Sequence, residues 1–215
     1  MSIVFDNVCT LGGIRQLSLE IPWETNCLLY DPTENLSRAI LYCLAGLDPI
    51  SSGEVYFEGT PLVRYLTQEP QLKNLCYIFD EGVMLANLTL LENLRLPIQW
   101  LNPNVDLEEL NYKIHDWLAR FRLALDLSKR PAAFMPGELK LFSFVRAFIL
   151  DSRHYLIDNP YYALNKTERV LLYSVLREIK EKRPLLIASI DDDFDQNFAD
   201  EIIDLSNFKE NMLIS

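Results

Sequence analysis

Apolar and polar positions along the first eighty residues alternate in short segments. Leu17, Leu19 and Ile21 take turns with polar neighbours, the period-two pattern of a half-buried strand. Asn26-Cys27-Leu28-Leu29-Tyr30 is a short apolar run that predicts a fully buried strand. Asp31-Pro32-Thr33 then breaks the chain. Leu36, Ile40, Leu41 and Leu44 recur at helical spacing, which predicts a helix from Asn35 to Ala45. Ser52 to Gly59 predicts a strand bounded by glycine turns, and Leu75 to Phe79 another buried strand.

From Gly82 to Leu150 the period becomes helical. Leu107, Leu110, Ile114, Trp117, Leu118 and Phe121 form one apolar stripe within Asp106 to Arg122, and a further helix is expected from Glu138 to Leu150. Strand patterns return at His154 to Asp158, Leu185 to Ile190, Glu201 to Leu205 and Met212 to Ile214, with a long helix over Thr167 to Lys182. Strands alternating with helices at both ends imply an α/β fold with a mainly parallel sheet. The expected layout is a single domain over 1–215. Core segments 1–81 and 151–215 enclose a helical subdomain at 82–150.

Composition narrows the classes. The chain has 215 residues, 49% hydrophobic and 24% charged, which suits a globular protein with a real core. A net charge of −11 argues against nucleic acid, whose phosphates need a basic surface, and against direct contact with anionic lipid. No apolar run approaches the roughly 20 residues of a spanning helix. Met1 to Asn7 lacks a basic stretch followed by an apolar core, so no signal peptide is expected. Cys9, Cys27, Cys43 and Cys76 stand singly without metal-site spacing, and buried thiols in a reducing, cytoplasmic setting are expected.

Several phrases in a fixed order carry a resemblance: Leu44-Ala45-Gly46-Leu47-Asp48-Pro49 with Ser52 to Gly59; Cys76-Tyr77-Ile78-Phe79-Asp80 with Leu88 to Leu94; and Arg146-Ala147 with Tyr155-Leu156-Ile157-Asp158-Asn159-Pro160. Over nearly its whole length the chain resembles the ATP-binding subunits of ABC transporters, and it looks most like the lipid- and lipoprotein-trafficking type. The resemblance implies a P-loop-NTPase-like (RecA-like), mainly parallel sheet flanked by helices, with antiparallel strands at the N-terminus and an α-helical subdomain insert.

The family's phosphate loop needs glycines, a lysine and a Ser/Thr. The matching segment here puts Asp31, Glu34 and Leu36 at the glycine positions, Ser37 at the lysine and Arg38 at the metal-binding hydroxyl. No glycine occurs between Gly13 and Gly46. Asp31 and Glu34 would repel a triphosphate, and a helix start capped by Thr33 or Asn35, with Glu34 favouring the helix dipole, explains the segment better. A rebuilt loop that uses Arg38 as its cation is the alternative. Asp80 stands at the Q-loop glutamine, and Phe134-Met135-Pro136-Gly137-Glu138 at the signature. Walker B keeps Asp158, but Asn159 replaces the catalytic glutamate and Ile190 the switch histidine. The D-loop falls on Tyr162 to Asn165, and no aromatic between Cys9 and Leu19 is placed to stack on adenine.

Losing base, cation and positioning together removes most of what phosphoryl transfer needs. The expectation is a pseudo-ATPase with no intact catalytic residue and no cofactor, ATP and Mg²⁺ entering only under the rebuilt-site alternative. No metal site is expected. Asp191, Asp192, Asp193 and Asp195 lack the glycine and terminal glutamate of a calcium loop, and His115 and His154 stand apart. The resemblance also implies a homodimer or heterodimer of such subunits beneath a transmembrane permease, peripheral at the inner membrane face. Asp80, Val83, Met84, Leu85 and Leu88 would meet the permease. Core between two lobes is the other reading of Val83, Met84 and Leu85, and a soluble scaffold that has left transport is the other reading of the whole chain.

Overall fold

Alternation at Ile3, Phe5 and Val8 buries one face of β1 (Ser2–Thr10). Its antiparallel neighbours are β2 (Leu17–Pro22) and β4 (Ile50–Phe57), and β5 (Thr60–Pro61) completes a sheet in the order β2-β1-β4-β5. The β1 register slips near Asn7, where Gly53 of β4 crosses so closely that a Cβ would lie 2.3 Å from the Asn7 carbonyl oxygen. Gly53 also has φ +74, a region that glycine enters without strain. The computed structural model describes residues 2–33, 35–68, 74–190, 198–206 and 208. Glu34, the Asp191 to Asp195 cluster and the strand expected at Met212 to Ile214 lie outside them.

The chain divides into two units. The first comprises Met1–Tyr77, Arg153–Pro160 and Lys180–Ser215. Beyond the antiparallel sheet it holds a second one, ordered β6-β7-β8-β3-β9, from β6 (Leu75–Ile78), β7 (His154–Asp158), β8 (Leu185–Ser189), β3 (Cys27–Tyr30) and β9 (Glu201–Asp204). The β7–β8, β8–β3 and β3–β9 pairs are parallel. Every residue of β7 and β8 is buried, which is why their sequences run apolar instead of alternating. Helix α1 (Asn35–Leu44) lies against β7 and β8 through a face that buries Leu36, Ile40, Leu41 and Leu44. The short helix α2 is Leu62–Gln68. Between the sheets, Trp23 meets Phe57 edge-on at 4.3 Å and His154 at 4.2 Å.

The second unit, Ile78–Ser152 with Tyr161–Ile179, is helical: α3 (Leu90–Leu101), α4 (Leu107–Arg120), α5 (Pro136–Ile149) and α6 (Lys166–Lys180), the last ending one residue beyond the unit. Thr89 and Glu92 cap α3 reciprocally, and Asp106 caps α4. Leu110, Ile114 and Leu118 carry the buried stripe of α4, whereas Leu107 is 45% exposed. That corrects its expected place in the stripe: Leu107 heads the helix, and burial begins one turn later. Trp117, Phe121, Phe144 and Phe148 pack as one aromatic cluster.

Candidate functional site

The turn from β3 into α1 is a geometry that suits an anion, because the first N–H groups of a helix have no partner within it. Here that turn begins at Asp31, which is 2% exposed. One carboxylate oxygen accepts from the Thr33 N–H at 2.9 Å and the Thr33 hydroxyl at 2.7 Å. The other accepts from Leu36 N at 2.9 Å and Ser37 N at 3.0 Å. Asp31 is therefore the cap of α1, a correction to the expected cap at Thr33 or Asn35. The longer reach from Asp31 satisfies two helical donors at once. Burial alone would raise the Asp31 carboxyl. The bonds from Ser37, Thr33 and Leu36 outweigh it and hold the group below the ordinary carboxylate range.

Leu36 and Ser37 are buried, Leu36 within the core, so neither side chain faces a ligand space as a glycine or lysine position would. Arg38 turns toward β7, its Nε 2.9 Å from Asp158 Oδ2. The Tyr77 hydroxyl donates to that same oxygen at 2.9 Å. Burial, then the Asp158 charge, pushes the Tyr77 phenol well above its usual range, so it stays a donor. Asn159 follows with φ 35, its N–H bonded to the Ala188 carbonyl at 2.9 Å and its side chain buried. Ile190 is half-buried at the end of β8. The structure thus brings Arg38 and Asp158 together and adds Tyr77, which the sequence reading missed. A lone hydroxyl in the apolar run Leu75 to Ile78 is the signal that could have found it.

In the helical unit, Asp80 Oδ1 accepts from Glu81 N at 2.8 Å. At the signature position, Met135 is 69% exposed, Pro136 opens α5, and Glu138 Oε2 accepts from Met135 N at 2.9 Å. Gly137 is required by a close approach, since a Cβ there would lie 2.8 Å from Glu168 Oε2 and 3.1 Å from the Ala163 carbonyl oxygen. Asn165, at the end of the D-loop position, caps α6 through Thr167 N and Glu168 N.

The loop from Phe79 to Thr89 is tied down at several points. Buried Lys140 donates to the Phe79 carbonyl at 2.7 Å. Gly82 runs against the Leu139 backbone, where a Cβ would sit 2.3 Å from the Leu139 carbonyl carbon. Arg146 Nη1 lies 3.4 Å from Met84 Sδ. Buried Asn93 accepts from Leu85 N at 2.8 Å and donates to the Leu85 and Thr89 carbonyls. Held this way, Val83 is 47% and Leu85 49% exposed, Met84 and Leu88 are half-buried, and so is Asp80.

Among the described residues no group of three His, Cys, Asp or Glu side chains could hold a metal ion, and no helix is long and apolar enough to cross a membrane.

The fold is that of an ABC ATPase cassette. A dimeric bacterial ABC transporter cassette superposes with TM-score 0.79 at 19% identity over 95% of this chain and 94% of its own. A cassette in a post-hydrolysis state bound to ADP and Pi gives 0.79 at 18% identity over 96% and 94%. In sequence, the chain is 23% identical over 209 residues to the sulfate/thiosulfate import ATP-binding protein CysA of Mesostigma viride, covering 94% of this chain and 59% of that protein. It is 25% identical over 212 residues to CysA of Escherichia coli, covering 95% and 56%. No protein-family profile matches the chain. Its homologues are ATP-binding subunits of ABC transporters, and the chain spans a little over half their length. The finer likeness to lipid-trafficking subunits gains no support from these relatives.

These comparisons contradict the expectation of a pseudo-ATPase. The proteins it resembles are import ATP-binding proteins, and a cassette of the same fold is captured after hydrolysis. That expectation summed the side chains missing from the family's motifs. At the start of α1 the N–H groups of Leu36 and Ser37 hold the Asp31 carboxylate.

Proposed function

We propose that this chain is the ATP-binding-type subunit of an ABC transporter, and that it couples to a membrane permease through the loop Asp80 to Leu88. The observation that carries this is the exposure of two apolar side chains, Val83 and Leu85, on a loop fixed by Asn93, Lys140 and Arg146. An apolar anchor held in one conformation loses little entropy on docking, which is what an energetic centre of an interface needs. The homologues' role in import and the dimeric form of a fold neighbour support a complex of paired cassettes under a permease. Any handling of nucleotide goes through a rebuilt phosphate site.

A photo-cross-linking residue placed at Leu85 tests this in membranes of the source cell. The expected product is an adduct with a polytopic membrane protein, identified by mass spectrometry, that weakens about tenfold or more when Val83→Asp is added. Adducts with soluble proteins alone would point to the scaffold reading instead.

A further inference from the structure

We infer that a groove in the helical unit, between the end of α4 and the starts of α5 and α6, binds a small amphipathic anion: an apolar body carrying one acidic headgroup. The groove measures about 790 Å³, within the usual size of a ligand site. Phe121, Leu123, Leu141 and Leu171 make its apolar surface, and exposed Val170 extends it along α6. Arg122 and Lys166 supply its positive charges, and both are exposed. Two carboxylates also line it, and each is tied to a backbone donor at a helix start. Glu138 accepts from Met135 N at 2.9 Å, and Glu168 from Asn165 N at 2.8 Å. Among the described residues neither Arg122 nor Lys166 has an ion pair.

Local physics opposes both cations where they stand. At the end of α4, Arg122 N bonds to the Ala119 carbonyl at 3.0 Å and Leu123 N to the Leu118 carbonyl at 2.9 Å. That turn puts Arg122 at φ 50, a left-handed position that glycine enters without strain and an arginine does not. Lys166 opens α6, the end of a helix whose dipole disfavours a cation. Neither residue stabilises the backbone that carries it, yet both line one apolar groove. Two local costs at separate elements that serve a single surface mark a site that uses them. The apolar surface takes a hydrophobic body, and the two cations select an anionic headgroup. A dissolved molecule is the source, because a chain of net charge −11 is repelled by an anionic bilayer surface. None of this depends on how the Asp80 to Leu88 loop docks.

Fluorescence titration of the full chain with anilinonaphthalene sulfonate, whose rings and sulfonate match that chemistry, tests it, with melting curves confirming that each variant is folded. Binding should saturate at one site and be displaced by decanoate, with uncharged decanol at least about tenfold weaker as a competitor. Arg122→Gln and Lys166→Gln should each weaken decanoate about threefold, and the double variant about tenfold. Val170→Asp, which sets a like charge on the apolar wall at an exposed position, should weaken it about tenfold as well. Arg122→Gly should weaken binding as Arg122→Gln does while raising the melting midpoint, because glycine relieves the turn. Wild-type affinity in the double charge variant overturns the inference. Equal competition by decanol and decanoate overturns it too, and so does the absence of saturable binding.

Discussion

At the start of α1 the capping carboxylate stands ahead of the helix, is 2% exposed and gathers four donors. At the start of α5, in the other unit, the capping carboxylate is Glu138. It lies inside the first turn, is half-buried and takes the Met135 N–H at 2.9 Å. Both helix starts fall on family motif positions, and both are capped by a carboxylate of their own chain. Burial separates them. A carboxylate that water still reaches can exchange its backbone donor for solvent at little cost, whereas a buried one leaves donors orphaned when it goes. The α1 start is therefore a committed structure, and the α5 start an adjustable one.

The largest expected effect that sharpens this contrast is in the charge pair beside the α1 start. Arg38→Met removes the charge that faces buried Asp158 while the neutral Tyr77 hydroxyl still donates to it, and should cost about 3 kcal/mol in denaturant unfolding. The low end of the usual range applies because the Arg38 side chain is 29% exposed. A loss under about 1 kcal/mol would mean that water already solvates Asp158.

A comparable effect separates the acid response of the first unit. Burial, then the Arg153 charge, lowers His154 to about 4. Its Nδ1 has no hydrogen-bond partner among the described residues. In that window the unfolded chain takes up a proton that the folded one refuses, so stability should fall by up to about 3 kcal/mol as pH drops from 6.5 to 4. His154→Gln should flatten that limb in a series of melts against pH.

Asp31 has the opposite sign. Its folded pKa is depressed, so its contribution is whole above the ordinary carboxylate value near 4 and is lost as pH falls through the folded value. At neutral pH Asp31→Ala should cost about 2 kcal/mol and Glu138→Ala under about 1, read as shifts in unfolding midpoint at constant slope. Equal losses at the two sites would remove the distinction between a committed and an adjustable cap.

Much of the fold was legible because its signals are local. The apolar runs at Cys27 to Tyr30, His154 to Asp158 and Leu185 to Ser189 appear as strands buried throughout or nearly so, and the α1 spacing of Leu36, Ile40, Leu41 and Leu44 appears as a buried face. The candidate site was legible only as a set of positions. Asp31 read as a misfit in a phosphate loop, since its bonds to Leu36 and Ser37 reach five and six residues onward through a turn whose shape no periodicity reports. Adding such misfits together also led to the expectation of no catalysis, which the relatives contradict.

What the sequence determined by itself is therefore the alternation of strands and helices and the apolar faces they bury, because a residue's hydropathy and its spacing act over one or two turns. Tertiary structure alone decided that Tyr77 and Arg38 meet on one oxygen of Asp158, across 81 and 120 residues of chain. It likewise decided that Asn93, Lys140 and Gly82 hold Val83 and Leu85 outward. Those partnerships depend on which atoms the packed elements bring within about 3 Å of one another, and that distance is settled when the core closes.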